Sequence, residues 1–294
     1  MSPKHLSRRS LLAMLGTVAL APQRLLASST NITLSASATR SSNVTRWQAH
    51  GARRGTILFS HGALSSPSKY PGLIGAWVDA GYDVYAPLHV DSEDHPDTKK
   101  YVGFASWRAR IEDMRALAQH VTDKSYVAAG HSYGALVALT LGGAAALPPE
   151  GITGSLRDPR VRASVAFSPP APVPKLIDAA GYATLAVPAL IQTGDRDIPP
   201  GASAADGWKG HLLPYDLAAA GGDRYALILQ GVDHYFGGAI CRHSVAGPIQ
   251  LAQLKSAAEI STLFIDAYST NGTAARAALQ RRLADSGPVI LRRK

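Results

Sequence analysis

The sequence contains a single cysteine, Cys241, among its 294 residues. No disulfide can therefore form within the chain, and no CxxC pair or histidine-rich spacing offers a structural metal site. A lone cysteine of this kind is more often a small buried hydrophobic residue than a nucleophile. We therefore expect Cys241 to be buried, and we expect neither a metal ion nor another cofactor.

Acidic residues are fewer than basic ones, 21 against 30, and the formal net charge is +9. The first 27 residues carry four of the basic residues and no acid, so without them the charge falls from +9 to +5. The other Lys and Arg residues are scattered, with no basic stripe interleaved with aromatics, which argues against nucleic acid as a partner. A hydrophobic content of 46% with 17% charged residues is typical of a globular enzyme with a sizeable core.

Long apolar runs are absent. The longest apolar run covers residues 11–21 and follows Arg8 and Arg9 after one serine. This run is too short for an ordinary transmembrane helix, so we expect no stable membrane anchor. The arginine pair, the mildly apolar run and the small residues around Ala27 resemble a twin-arginine export signal, with a disordered basic tail or an uncleaved anchor as the alternative. We expect residues 1–27 to be this signal, the twin-arginine machinery to be a transient partner, and the folded protein to be periplasmic or secreted. A single cysteine fits folding in a reducing cytosol before export.

Short apolar runs alternate with helix-favouring segments along residues 28–294, which predicts a single α/β domain with a mostly parallel, doubly wound sheet. The predicted buried strands cover residues 56–60, 82–87, 126–129, 161–167, 189–193 and 225–230. Residues 32–40 and 44–50 alternate loosely and predict an antiparallel pair at a sheet edge. Fewer than about twenty residues, rich in Pro and Gly, separate Leu141 from the strand at Val161, so we expect little or no cap.

Residues 130–134 read Gly-His-Ser-Tyr-Gly, between a predicted strand and a predicted helix. Glycine two positions before and after a serine, at a strand-to-helix turn, is the pattern of a nucleophile elbow. The glycines are needed because strand and helix approach closely there, and the helix N-terminus favours a negative charge near the serine. By itself this pentapeptide is common by chance, with an idle surface turn as the alternative, so its context carries the interpretation. The sequence therefore predicts Ser132 as a nucleophile.

Two further groups follow predicted strands in the chain order serine, acid, base. His234 could take the proton of Ser132, and Asp197 could orient that imidazole, because the carboxyl ends of parallel strands meet at one sheet edge. The backbone N–H groups of Ala63 and Tyr133 are the candidate oxyanion-hole donors.

Four segments together resemble the α/β-hydrolase superfamily: Phe-Ser-His-Gly-Ala, Gly-His-Ser-Tyr-Gly, Gly-Asp-Arg-Asp and Gly-Val-Asp-His-Tyr-Phe. Over about residues 54–270 the arrangement is similar to the lidless carboxylesterase and dienelactone-hydrolase-like branch. The resemblance implies an α/β-hydrolase-type sheet and acyl-enzyme chemistry on Ser132. Dienelactone hydrolases proper carry cysteine at the elbow, so their substrate does not transfer to this chain. Dehalogenases and epoxide hydrolases carry aspartate there, which disfavours their chemistry.

Several single residues have alternative interpretations. Asp195 could replace Asp197, although the family's spacing from Gly194 favours Asp197. Asp233 is better interpreted as a loop carboxylate than as a member of the triad. The acidic segment at residues 91–97 is better interpreted as a solvated rim loop than as a calcium site. Trp107 is expected in the core, His131 inside the fold and His61 against the oxyanion loop. The histidines without a visible partner are expected at surface or rim positions: His89, His95, His211 and His243.

The predicted function is hydrolysis of carboxylic esters with short- to medium-chain acyl groups, through an acyl-enzyme. The alcohol part could be small or belong to a polymer, because an uncapped site leaves its rim open. A thioester or amide substrate is a weaker interpretation. Two alternatives use the same fold: acyl transfer to an acceptor other than water, and a binding protein without catalysis.

Overall fold

Nine strands form one sheet in the order β1-β2-β4-β3-β5-β6-β7-β8-β9 in the computed structural model, which describes residues 28–198, 207–245, 247–270 and 272–294. The expected export signal, residues 1–27, lies outside this part. The strands are β1 (Ser29–Ser37), β2 (Arg40–Trp47), β3 (Gly55–Ser60), β4 (Tyr82–Pro87), β5 (Tyr126–His131), β6 (Val161–Phe167), β7 (Ala189–Gly194), β8 (Arg224–Leu229) and β9 (Val289–Arg293).

The six central strands, from β4 to β8 in sheet order, run parallel to one another, and only β1, β2 and β9 pair antiparallel. The predicted α/β architecture with a mostly parallel sheet in one domain is therefore confirmed. The predicted antiparallel pair at an edge is also present, as β1 and β2.

Within the described ranges, seven α-helices cover the sheet on both faces. They are α1 (Pro71–Asp79), α2 (Trp107–His120), α3 (Tyr133–Leu141), α4 (Ala179–Ala183), α5 (Leu213–Leu217), α6 (Leu251–Ser269) and α7 (Thr273–Gln280). Residues of α1, α6 and α7 pack into one apolar core, whereas those of α2 and α3 pack into another. Strand β3 shows why both cores exist: Ile57 and Phe59 enter the first, and Leu58 between them enters the second.

Two elements were not expected from the sequence. The expected last strand at residues 225–230 is followed by β9, which pairs antiparallel with β8 along the sheet edge. The five-residue helix α4 has Asp178 as its N-cap, and the Asp178 carboxylate accepts a hydrogen bond from Gly181 N at 2.7 Å. Both elements are short, and their sequences lack a periodicity long enough to detect.

Residues 142–160, between α3 and β6, contain no helix or strand. No helix within the described ranges is both long and apolar enough to cross a membrane.

Candidate active site

Ser132 stands between β5 and α3 in a backbone conformation that few non-glycine residues adopt, with φ 53° and ψ −119°. A Cβ added at Gly130 would lie 2.1 Å from the carbonyl oxygen of Gly134, and one added at Gly134 would lie 1.9 Å from that of Ser60. The two glycines are therefore a steric requirement of this turn, and the predicted elbow geometry is present.

The predicted acid and base are in direct contact. His234 Nδ1, in the loop after β8, donates a hydrogen bond to Asp197 Oδ1, in the loop after β7, at 2.7 Å. The two loops are held together at Gly194, where an added Cβ would lie 2.1 Å from the carbonyl oxygen of Val232. Asp195, the alternative acid, is exposed and accepts instead from Gly231 N at 2.6 Å. Geometry thus joins Asp197, and not Asp195, to the His234 ring.

The Asp197 carboxylate is fully buried and surrounded by donors. Its Oδ2 accepts from Ser168 Oγ at 2.5 Å and from Thr193 Oγ1 at 2.9 Å. Its Oδ1, besides accepting from His234, lies 3.1 Å from His211 Nε2. Burial alone would raise the pKa of Asp197, but the bonds and charges of the two histidines hold that pKa well below its usual range. The acid is therefore ionised at any physiological pH.

His234 is 7% exposed, and its ring faces a second buried ring, that of His131. Burial lowers the pKa of His234 below its ordinary value, although the contact with Asp197 opposes that shift. Its backbone carbonyl accepts from His131 Nε2 at 2.9 Å. His131 itself lies inside the fold as expected, and burial lowers its pKa to about 4, so it is neutral near pH 7.

Ser132 Oγ has no hydrogen-bond partner among the described residues, and no hydrogen bond joins it to His234. The backbone N–H groups of Ala63 and Tyr133 likewise have no acceptor within the described ranges. Tyr133 is the first residue of α3, so its N–H belongs to the unpaired first turn of that helix. The two predicted donors are thus unpaired among the described residues.

A chain of hydrogen bonds joins the oxyanion loop, residues 61–64, to the base. Gly62 N donates to Tyr70 Oη at 2.9 Å, and Tyr70 Oη donates to His131 Nδ1 at 3.1 Å. His131 Nε2 then donates to the carbonyl of His234. This direction of donation requires the neutral Nε2–H tautomer of His131, which agrees with its lowered pKa.

A buried arginine, Arg110, binds the carbonyl oxygens of the oxyanion loop. Arg110 in α2 donates to the carbonyls of His61 (2.7 Å) and Gly62 (3.2 Å), and it makes two bonds to Asp91, at 2.9 and 2.8 Å. Its guanidinium also lies 4.5 Å from the centre of the Tyr133 ring. One cation therefore contacts both segments that carry the predicted oxyanion donors. Sequence reasoning missed it.

The helical stripe of α2 contained the signal for that residue. Arg110 falls three positions after Trp107 and four before Met114, both of which are buried, so it lies on the buried face of the helix. A charged residue on an apolar stripe requires a partner inside the protein. Trp107 itself is in the core, as expected.

Two of the four histidines expected at the surface are in fact buried, so that expectation was wrong for His89 and His211. His89 Nδ1 donates to Asp113 Oδ2 at 2.8 Å, and His89 Nε2 lies 2.9 Å from Ser60 Oγ. The rings of His89 and His211 can be buried because each has polar partners inside the protein. Those partners are distant in sequence, so the sequence alone does not reveal them. His95 is half-buried and His243 is exposed.

The acidic segment at residues 91–97 is only partly the solvated rim that the sequence predicts. Glu93 and Asp94 are exposed, and Asp97 bonds Lys100. Asp91 is instead buried against Arg110, because that cation compensates its desolvation. Cys241 is buried, as expected.

One cluster within the described ranges offers three ligand atoms of metal-binding type within 4.8 Å of one another: those of Asp197, His211 and His234. Asp197 Oδ1 lies 2.7 Å from His234 Nδ1 and 3.1 Å from His211 Nε2. The other carboxylate oxygen, Oδ2, accepts hydrogen bonds from two hydroxyls. One hydrogen bond and one charge contact to the same carboxylate oxygen account for the closeness of the three ligand atoms.

Two apolar side chains beside the candidate site are open to solvent. Leu64 in the oxyanion loop is 39% exposed, and Phe104 is 54% exposed with its ring edge-on to Tyr133 at 5.6 Å. A cavity of about 640 Å³ lies elsewhere, between the β1–β2 pair and α1, and contains none of the predicted catalytic residues.

Solved structures share this fold at low sequence identity. An esterase domain from Rhodothermus marinus is 14% identical, with a TM-score of 0.55 over 82% of this chain and 100% of that one. A dienelactone hydrolase from Anabaena variabilis is 15% identical, with a TM-score of 0.57 over 83% and 99%. Thermogutta terrifontis esterase 2 is 15% identical, with a TM-score of 0.59 over 84% and 97%. The chain has the fold of these α/β-hydrolase structures.

No protein-family model matches the sequence, and no curated protein is significantly similar to it. The assignment of chemistry therefore depends on the geometry of the site.

Proposed function

We propose that this protein is a serine hydrolase that cleaves carboxylic esters through an acyl-enzyme, with Ser132 as nucleophile, His234 as base and Asp197 as acid. The observation that carries the proposal is the buried 2.7 Å hydrogen bond from His234 Nδ1 to Asp197 Oδ1. It fixes the tautomer that leaves His234 Nε2 unprotonated, which is the form able to accept a proton from a serine hydroxyl.

In the first step, Ser132 Oγ attacks the ester carbonyl carbon while His234 Nε2 takes the hydroxyl proton. The carbonyl oxygen becomes negative, and the N–H groups of Ala63 and Tyr133 stabilise it. The carbon–oxygen bond to the alcohol then breaks, and the alcohol leaves with the proton held by His234. Water attacks the acyl-enzyme by the same route in reverse and releases the carboxylic acid.

The missing hydrogen bond between Ser132 and His234 is compatible with this role, since nucleophile–base contacts are often long without a substrate. The strained backbone of Ser132 and the unpaired N–H groups of Ala63 and Tyr133 also favour catalysis over a passive binding role.

Short acyl chains, acetyl to about hexanoyl, are the proposed substrates. Residues 142–160 supply no helix or strand to enclose a long chain, and Leu64 and Phe104 are open to solvent. A methylene that stays exposed forfeits most of the ~0.8 kcal/mol that its burial would contribute, a factor of nearly four in binding. Bulky or polymeric alcohol groups can lie across such an open rim.

The experiment is a series of p-nitrophenyl esters with acyl chains of two to sixteen carbons, with kcat/KM measured on the purified protein with and without EDTA. The proposal predicts a maximum at six carbons or fewer and no effect of EDTA. A maximum at twelve carbons or longer would reject the open short-chain site. Transfer of the acyl group to added alcohols in preference to water would favour the acyltransferase alternative.

A further inference from the structure

His211 is a buried polar side chain beside the proposed acid, Asp197. The triad chemistry does not require His211. It lies in the 3-10 helix Gly207–Leu212, directly before α5, and is 2% exposed. Its Nδ1 lies 2.7 Å from the carbonyl oxygen of Pro169, and its Nε2 lies 3.1 Å from Asp197 Oδ1. The ring centre is 5.3 Å from that of His234.

These contacts fix where the protons of His211 must be. A carbonyl oxygen only accepts, so Nδ1 carries a proton and donates to Pro169. The carboxylate of Asp197 is held ionised by two hydroxyl donors and His234. A lone pair on His211 Nε2 would face that negative oxygen and be repelled, whereas an N–H there is attracted.

His211 Nε2 lies 3.1 Å from Asp197 Oδ1 without the alignment of a good hydrogen bond, and Nε2 has no other partner among the described residues. An N–H at Nε2 is therefore held there mainly by the negative charge of the carboxylate. With a proton on each nitrogen, the ring is an imidazolium.

We propose that His211 is a positioning residue that carries a positive charge at neutral pH, holds the Asp197 carboxylate, and lets His234 act as a base at lower pH than a triad alone would allow. This inference rests on the proposed function. The charge on His211 acts on His234 by repulsion, since a second cation close by disfavours the protonated form of that base.

The ionisable groups that face His211 support this arrangement. Among the described residues they are Asp197, His234 and, more distantly, His131, which is neutral near pH 7. Burial would lower the pKa of His211, but the contact with Asp197 raises it above its ordinary value. Burial lowers the pKa of His234, and His211 adds to that shift. Activity should therefore persist at acid pH until His234 is protonated.

The first test is the pH profile of kcat/KM for p-nitrophenyl acetate in wild type, His211→Gln and His120→Gln. Glutamine at 211 keeps an N–H for Asp197 but has no charge. Because the neighbouring cation is gone, His234 holds its proton to higher pH, so the acid limb should move up by about one pH unit or more. That shift lowers kcat/KM about tenfold at pH 5 and leaves it near wild type at pH 8. His120 is exposed at the end of α2, so His120→Gln should follow the wild-type curve.

The second test needs neither activity nor a His211 variant. The histidine ring signals of the Ser132→Ala protein, labelled with ¹³C and ¹⁵N and assigned through bonds, report the protonation of His211 directly. We expect an imidazolium at pH 7 and a neutral ring for His234. A neutral His211 ring at pH 7 would overturn the inference.

The two tests separate failure of the inference from failure of the proposed function. If wild type hydrolyses esters but the His211→Gln profile overlies it, the positioning role is wrong and the triad stands. If wild type hydrolyses no ester, the proposed function fails, and the NMR signals still report whether His211 is charged. Stoichiometric zinc in the active protein, with activity lost on its removal, would also overturn the inference, because an ion would then occupy the contact.

Discussion

At the scale of single residues, the described part of the chain holds two Ser–His–Asp sets, and they differ in burial. Ser60, His89 and Asp113 are joined by contacts of 2.9 and 2.8 Å, and all three are fully buried. Arg110 Nη1 also lies 3.3 Å from Ser60 Oγ, and Asp113 is paired with Arg40. No substrate can reach this set, so it stabilises the fold beneath the oxyanion loop. Ser132, by contrast, is partly open to solvent.

Removing each serine should therefore have a different effect. Ser132→Ala should lower kcat by roughly 10⁴-fold or more without loss of folding. Ser60→Ala should keep most of the activity but lower the free energy of unfolding by about 1–3 kcal/mol, because His89 Nε2 loses its partner. Steady-state kinetics and urea unfolding of the two variants test both statements. An inactive but stable Ser60→Ala protein would contradict this division of roles.

The acid can be tested with a pair of neighbouring carboxylates. Asp197→Asn should lower kcat by about 10⁴-fold, because the amide no longer fixes the His234 tautomer. Asp195→Asn should stay within a few-fold of wild type, since that exposed side chain only accepts from Gly231 N. Measured kcat values decide the matter. A large loss of kcat in Asp195→Asn, together with a near-normal kcat in Asp197→Asn, would show that the acid is misassigned.

At the scale of elements, helix α2 supports the oxyanion loop through one side chain. Arg110 spans Asp91, His61, Gly62 and the Tyr133 ring, and the planar fork of a guanidinium is what permits several bonds at once. A lysine would keep the charge but only one or two of these contacts. The position of the oxyanion donors should therefore depend on the shape of this side chain as well as on its charge.

Arg110→Lys should lower kcat about 10- to 100-fold with little change in KM, because the oxyanion donors act mainly in the transition state. It should also lower Tm by several degrees, because Asp91 is left with a poorer buried partner. Arg108→Lys is the matched control, since Arg108 bonds Glu112 at 2.8 Å on the exposed side of the same helix. Equal effects of the two substitutions on kcat would contradict a special role of Arg110.

Sequence reasoning located the elements that carry strong local signals. Residues 82–87 and 161–167 were predicted as strands, and they form β4 and β6. The prediction was possible because short apolar runs between turn residues are typical of buried strands. The elbow glycines were detectable for a similar reason, as a fixed spacing imposed by sterics. Strand β9 was not predicted because it is a short, partly exposed edge strand, and its sequence Val-Ile-Leu-Arg-Arg shows no alternation of apolar and polar positions.

The parts of the site that escaped prediction are long-range pairings. His211 and Asp197 are fourteen positions apart, and nothing in the sequence between them marks their contact. Arg110 reaches Asp91 and the loop at residues 61–64 only because the tertiary fold packs α2 against β3 and β4. Charged residues of this kind resemble surface residues until the fold supplies their partners.

At the scale of the whole molecule, the described residues form one α/β domain with the proposed site at the carboxyl ends of the strands. The sequence before it carries the arginine pair at positions 8 and 9, which lies outside the described residues. Export by the twin-arginine route remains a prediction. The route carries folded proteins, so it requires the domain to fold before it leaves the cytoplasm.

Replacing Arg8 and Arg9 together with lysine should trap the full-length precursor in the cytoplasm of the host, because a receptor reads the arginine pair. Cell fractionation and immunoblotting measure the distribution. Esterase activity of the trapped precursor, assayed in the cytoplasmic fraction, controls for folding. Periplasmic accumulation equal to wild type would reject this route.

The most direct measurement of the central claim is the site of covalent modification by an organophosphate. The purified domain should be treated with a fluorophosphonate and digested, and the modified peptide identified by mass spectrometry in wild type, Ser132→Ala and Ser60→Ala. We predict one adduct per chain on Ser132 in wild type and in Ser60→Ala, and none in Ser132→Ala. Labelling of Ser132→Ala at the wild-type rate, or no labelling of a folded wild type, would contradict the account.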